Sequence, residues 1–458
     1  MPLPLSYSSR FSSPTQARLH AIGLVSVLAY AGFWIISLDI SRSFEPLLML
    51  VYLAALALHP QRKEAFKDPL WWLLGAWIVL QFFTLPFAFE HFPDYAKDQI
   101  NDVRGYTKLF LILPVAWVLA VRHRYGMWML AVLFIGMLIG SLWHGEGLRL
   151  MQLIAQGGRP TLGFHNWEHA GVSCGVVLIA LTCFAGRFMA WTASRMNKAL
   201  AWLARLGSIV LFALAALGEL IVQTRASWLG LVAVFMIGIV GLLILLRKQN
   251  AYRHPTLRRN VMVGLLTFTG VALIVGTLYG DNISKRVFAE HHIMEEILEG
   301  DLHNVPYSSI GFRIHVWNHA LNWISERPLT GWGPQSHKPL IINSGMPERI
   351  VIGQNLTHTH NSYLEMLIAY GAIGLGIYVL VAIVIGRSVW QNWRRGDMPT
   401  DMMAFISLFF VFWLIVNLFE SYFMYRTGVY FHALIGGLAY SYGMRRRLFP
   451  RLSSSEAT

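Results

Sequence analysis

The stretch "THTHNSYLEMLIAYGAIGLG" sets His360 and Asn361 directly before an apolar run that carries Gly371, Gly374 and Gly376. A neutral imidazole is the commonest general base near pH 7. An asparagine in that position can cap the helix that follows it. Glycines so spaced let helix backbones approach closely, which suits a rigid mount for His360. The plainer reading is an interfacial histidine beside a capped helix.

Cations for an anionic substrate are available elsewhere in the chain. They are Arg225 in "QTRASWLG", Arg313 in "FRIHVWNHALNW" and, more loosely, Arg159 in "GGRPTLGFHNWEHAG". A guanidinium matches phosphate with a two-pronged fork. The plain alternatives are snorkelling to lipid phosphates for Arg225 and a surface salt bridge for Arg313. His165, His169, His337, His358, Glu420 and Arg426 are further polar residues expected on the same membrane face. His165, Glu168 and His169 follow the order of an inverted zinc-protease motif, and His315 and His319 share its four-residue spacing. The turn-like "GGRPTLGF" before the first pair, and 17 histidines in the chain, weigh against zinc. No metal or other cofactor is therefore expected.

These groups need elements to hold them. The chain has 458 residues, 55% hydrophobic and only 13% charged, where a soluble protein carries roughly a quarter charged. Mean hydropathy is +0.49. The apolar surplus implies an all-α polytopic membrane protein. About twelve apolar segments recur, at 19–38, 45–60, 69–89, 106–121, 125–143, 170–187, 199–222, 227–246, 260–279, 362–386, 402–419 and 427–444. The first reads as an anchor, not a removed signal peptide. Cys174 and Cys183 share one apolar segment and imply neither a disulfide framework nor a four-ligand zinc site.

Lys and Arg fill every second gap, from "PQRKEAFKD" to "RRRLFPR", and the gaps between are mixed or acidic. This is the positive-inside pattern, and it predicts that both termini are cytoplasmic. It also accounts for the net charge of +13 without a nucleic-acid partner. The long gap 280–361 then lies outside, between the ninth and tenth spans, in the periplasm of a Gram-negative cell. Arg313, Trp317, Ala320, Leu321 and Ile324 recur at helical spacing in it, and "ERPLTGWG" ends that helix. "SKRVFAEHHIMEEILEG" reads as a second, amphipathic helix. The expectation is one membrane domain, 1–458, with a mostly helical cap at 280–361. A transporter would instead place charge at mid-membrane in broken helices.

His360-Asn361, nine residues, Gly371, two residues and Gly374 resemble the H-[NSQ]-x9-G-x-x-G signature of bacterial O-antigen ligases. Arg225 and Leu229 resemble that family's R-x-x-x-L motif, and "FRIHVWNHALNWISERPLTGWG" resembles its periplasmic arginine helix. The resemblance covers most of the chain and is sharp over 220–230 and 311–376. It implies a GT-C-like glycosyltransferase of the bacterial inner membrane with its site facing the periplasm. Such an enzyme moves a glycan from undecaprenyl diphosphate to a sugar hydroxyl of lipid A–core, without metal and with inversion. Carried over, His360 acts on the acceptor and Arg225, Arg313 and Arg159 hold the diphosphate. Asn361, Gly371 and Gly374 support the site, and Glu420 orients His360. O-antigen polymerases and protein O-oligosaccharyltransferases resemble the same superfamily and remain alternatives.

Overall fold

The computed structural model describes residues 11, 13–60, 62–156, 158–248, 280, 284, 305–353 and 356–449. The expected span at 260–279 and, apart from Ser284, the amphipathic helix at 284–300 lie outside the described residues. Among the described residues the protein is helical, without a strand. In chain order the main helices are α1 (Pro14–Phe33), α2 (Leu38–Ala57), α3 (Pro69–His91), α4 (Ala96–Thr107), α5 (Ile112–Ala120), α6 (His123–His144) and α7 (Trp167–Arg195). They continue with α8 (Lys198–Val222), α9 (Arg225–Lys248), α10 (Gly311–Glu326), α11 (His337–Ile342), α12 (Ser362–Arg394), α13 (Thr400–Val416) and α14 (Arg426–Leu448). Among the described residues seven segments are long and apolar enough to cross a bilayer, and α1, α9, α13 and α14 fall outside that set. The chain is an all-α polytopic membrane protein.

Two departures from that apolar rule have a physical cause. α13 is short, and α14 carries polar and basic residues, yet nearly every α14 side chain is buried against protein. A helix shielded from lipid by its neighbours needs no lipid-facing surface. Its backbone comes close to α5: a Cβ on Gly437 would stand 2.5 Å from Val115 Cγ1. At the other extreme, α8 presents Leu203, Ile209 and Leu206 outward at 65%, 63% and 56% exposure. That is the surface a lipid-facing helix requires.

The fourth span differs from expectation in its start. The segment "EHFPDYAKDQINDVRG" is not a loop but largely helix α4, which runs through a short 3-10 turn into α5. Asp102 and Asp98 on α4 then reach the cap: the Gln335 amide donates to Asp102 Oδ2 at 2.8 Å, and Lys338 pairs with Asp98 at 2.8 Å.

The cap has its own small core of Val316, Ala320, Trp323, Ile341 and Ile350, closed against Ile368 of α12. The buried face of α10 is therefore Val316, Ala320 and Trp323, while Leu321, expected on the inner stripe, is 60% exposed.

α12 is not continuous. Gly371 has φ 60 and ψ −164, which breaks the helix into two halves. The break is filled by the backbone of 328–333. The amides of Ala372 and Ile373 donate to the carbonyls of Pro328 and Leu329 at 2.8 and 3.1 Å, and the amides of Trp332 and Gly333 donate to Ile368 and Ala369 at 2.7 and 2.8 Å. Buried helix-end groups need such partners. A Cβ at Gly371 would sit 2.3 Å from the Leu329 carbonyl carbon, so neither the φ nor the space admits a side chain. This corrects the helix-packing reading of the glycines. Gly371 admits a loop, Gly374 nears Leu80 of α3 as well as its own Tyr370, and Gly376 faces open space.

Candidate active site

His360 sits one residue before the N-cap of α12, with φ 52. Left-handed backbone is uncommon outside glycine, though histidine tolerates it better than most, and such strain gathers at functional sites. The surroundings over-determine the conformation. Asn361 Oδ1 accepts from the amides of Tyr363 and Leu364, at 3.0 and 3.2 Å. Buried Glu365 reaches back to the Thr359 amide at 2.8 Å and takes the Ser421 hydroxyl at 2.7 Å. Ser362 Oγ donates to Asn417 Oδ1 at 2.6 Å, and the Ser362 amide donates to the Asn417 carbonyl at 2.9 Å. These bonds bind the start of α12 to the loop between α13 and α14.

That loop delivers Glu420, which is 2% exposed, to the imidazoles. Glu420 Oε2 lies 3.1 Å from His360 Nδ1, and Oε1 lies 3.6 Å from His358 Nε2. Burial alone would raise the Glu420 carboxyl. The hydrogen bond and charge of His360, the charge of His358 and the Ser421 amide overcome it and hold the group at about 2. Burial, and then the neighbouring His360, pull His358 down to about 3. Tyr425 Oη bonds His358 Nε2 at 3.1 Å, and the two imidazole centroids are 4.1 Å apart. Burial and the charge of His358 likewise depress His337 to about 3 in the cap behind.

The structure brings three of the expected groups to His360: Asn361, Glu420 and Arg313. Arg313 bonds the Ser309 carbonyl at 2.8 Å and covers the Phe312 ring, whose centroid is 5.4 Å from that of His360. Its charge is felt at His358. Arg225 opens α9 after a tight turn at left-handed Gln223. The first turn of α9 packs Thr224 and Ser227 on Gly171 of α7. From there α7 leads to the cluster through His169, whose ring centre is 4.9 Å from that of Tyr425. Arg159 lies over the Trp167 ring at 4.1 Å, at the start of α7.

The zinc-like pair does not converge as ligands. His169 is buried with Nδ1 on Thr427 Oγ1, and His165 stands beside it with ring centres 5.5 Å apart. Among the described residues the ligand atoms that do converge belong to His358, His360 and Glu420, all within 4.8 Å of one another. Hydrogen bonds already join His360 to Glu420 and His358 to Tyr425, an arrangement that can also handle a proton without an ion. His358 and Tyr425 are the site residues that motif spacing did not single out. A histidine two positions before another was the only available signal for His358, and an ordinary loop tyrosine offered none.

A sequence model described as O-Antigen ligase matches residues 209–379, which contain Arg225, Arg313, His360 and the α12 break. An O-antigen ligase of Pseudomonas aeruginosa is 32% identical over 111 residues, which is 24% of either chain. Over residues 209–379 the chain is thus similar to the O-antigen ligase family. An uncharacterized protein of Haemophilus influenzae is 24% identical over 189 residues, 40% of this chain and 43% of that one. The aligned stretches thus span less than half of either relative. Glu420 and Tyr425 lie beyond the family match, so only the folded structure joins them to the family's histidine helix.

Proposed function

We propose that this protein transfers a preassembled glycan from undecaprenyl diphosphate to a sugar hydroxyl of lipid A–core. The observation that carries the reading is His360 held by an ionised, buried carboxylate beside a cap arginine. With Nδ1–H donated to Glu420, a neutral His360 ring carries its lone pair on Nε2. Nε2 takes the proton of the acceptor hydroxyl as its oxygen attacks the anomeric carbon. The glycosyl–diphosphate bond breaks on the opposite face, which inverts that centre. The diphosphate is already a good leaving group and needs no general acid. It needs positive charge where negative charge grows, which is the role proposed for Arg313, Arg225 and Arg159. Glu420 stabilises the imidazolium so formed. Holding both lipids beneath the cap supplies the orientation. The alternating basic gaps support an inner-membrane protein with cytoplasmic termini and a periplasmic site.

The histidine helix and arginine loop suit the sibling O-antigen polymerase and protein O-oligosaccharyltransferase reactions equally well. Reconstitution separates them. Purified protein in liposomes is given a preformed undecaprenyl-diphosphate glycan and lipid A–core. Glycan joined to lipid A–core, with inverted linkage and undiminished by EDTA, is the expected result. Product seen only as longer lipid-linked chains makes the protein a polymerase. Loss with EDTA and recovery with a divalent ion turns His358, His360 and Glu420 into a metal site.

A further inference from the structure

Beside the histidine cluster lies a cavity of about 440 Å³ that the proposed reaction has not used. It opens between the start of α2, helix α4 and the start of α14. Arg42, Arg104, Lys108 and Arg426 line it, against one lining carboxylate, Glu45. Glu45 is already engaged by Lys108 at 2.6 Å. Arg426 is repelled by Arg42 and attracted by Asp39 and Glu45. The floor is Trp34 stacked on Tyr430, with ring centres 4.1 Å apart. Excess cationic charge over an apolar floor favours an anion more strongly than the same charges in open water do.

Its position gives the cavity meaning. The segment Met424–Tyr425–Arg426 divides its side chains between two places. Met424 and Arg426 line the cavity, while Tyr425 bonds His358 in the site. The cavity and the site thus share this segment of chain. α4 forms a second link, because it lines the cavity and also holds the cap through Asp98 and Asp102.

We propose that this cavity binds a phosphate monoester on the saccharide of the acceptor lipid, and so sets that saccharide against His360. The proposal rests on the ligase reading, in which Arg313, Arg225 and Arg159 serve the donor diphosphate from the cap, α9 and α7. A phospholipid headgroup offers the same phosphate chemistry, so the test must separate the two sources.

The test uses the full chain in nanodiscs of zwitterionic lipid and reads binding by calorimetry, with no donor present. The probes are delipidated core oligosaccharide with its phosphates and the same oligosaccharide after phosphatase treatment. Wild type should prefer the phosphorylated form about tenfold, as expected for charge-assisted hydrogen bonds. The Arg42→Gln/Arg426→Gln variant should lose the preference and keep its affinity for the dephosphorylated form. Arg42→Lys/Arg426→Lys should retain most of it. Should the double glutamine variant misfold, Arg104→Gln on exposed α4 reads the same effect as a drop of about threefold. Equal binding of both probes by wild type, or an unchanged preference in the folded glutamine variants, overturns the proposal. Loss of the preference when anionic phospholipid is added to the nanodisc assigns the cavity to the bilayer and overturns it too. Because no transfer is measured, a phosphate preference without glycan transfer to lipid A–core defeats the ligase reading alone.

Discussion

Two ends of the helix bundle each bury a carboxylate, and they treat it differently. Near the chain termini, where Phe11 and Phe449 meet, Asp68 caps α3 through the Leu70 amide. It also accepts from Tyr440 at 2.5 Å and pairs with Arg447 at 2.6 Å. Nearby, Arg187 grips Asp401 with both prongs of its fork. At the cap end, Glu420 faces His358 and His360 instead. A guanidinium does not release its proton in a protein, whereas an imidazole does so near neutrality. The terminal end therefore locks helices together, and the cap end can pass a proton. Partner identity, not burial, is what distinguishes these two carboxylates.

The largest effect expected is for His360→Ala. It should cut transfer by about 10²- to 10⁴-fold while the protein stays folded in membranes. Wild-type turnover in that variant would remove the chemical role from the cap end altogether. Glu420→Gln keeps a hydrogen-bonding group but removes the charge, and should lower kcat by about a hundredfold. Asp68→Asn is its counterpart. It should leave kcat per folded molecule unchanged and cost about 1–2 kcal/mol of stability, since Arg447 is partly exposed. If both substitutions depress kcat alike, the contrast between the ends collapses.

Gly371→Ala acts on stability, and more strongly than Asp68→Asn. It should cost about 2–3 kcal/mol and expose the 328–333 loop to protease, because it strains φ and pushes on the Leu329 backbone. The smallest effect is that of pH. His358 is held neutral well below its ordinary 6.5, so unfolded chain takes up a proton that folded chain refuses. Stability should fall as pH drops from about 6.5 toward 3. Glu420 is depressed from 4.5 to about 2, so its contribution is present above about 4.5 and is lost as pH falls through that window. Thermal midpoints measured across pH should show both declines, and His358→Gln should shrink the upper one.

The all-α membrane architecture was legible in the sequence, because burial in lipid demands long apolar runs. His360 and the Asn361 cap were also legible, since N-cap chemistry is local. Glu420 stood out as an acid in an outer gap, but its partner lay sixty positions away and only folding joins them. The α12 break was misread because glycines that admit a loop and glycines that admit a helix share one spacing. Nothing local tells that 328–333 will dock at Gly371. His358 was legible only as one of several outer-face polar residues, and Tyr425 not at all, because each gains its partner from a distant part of the chain.

The break in α12 is closed by four main-chain bonds, and a main-chain bond does not depend on which side chain the residue carries. The cap and the histidine helix thus keep their alignment while cap side chains change. Cap side chains can be rewritten on this frame, residue by residue, without moving His360. For an engineer, residues 328–333 and 368–373 are the part to leave alone, and the outward faces of the cap helices are the part to vary.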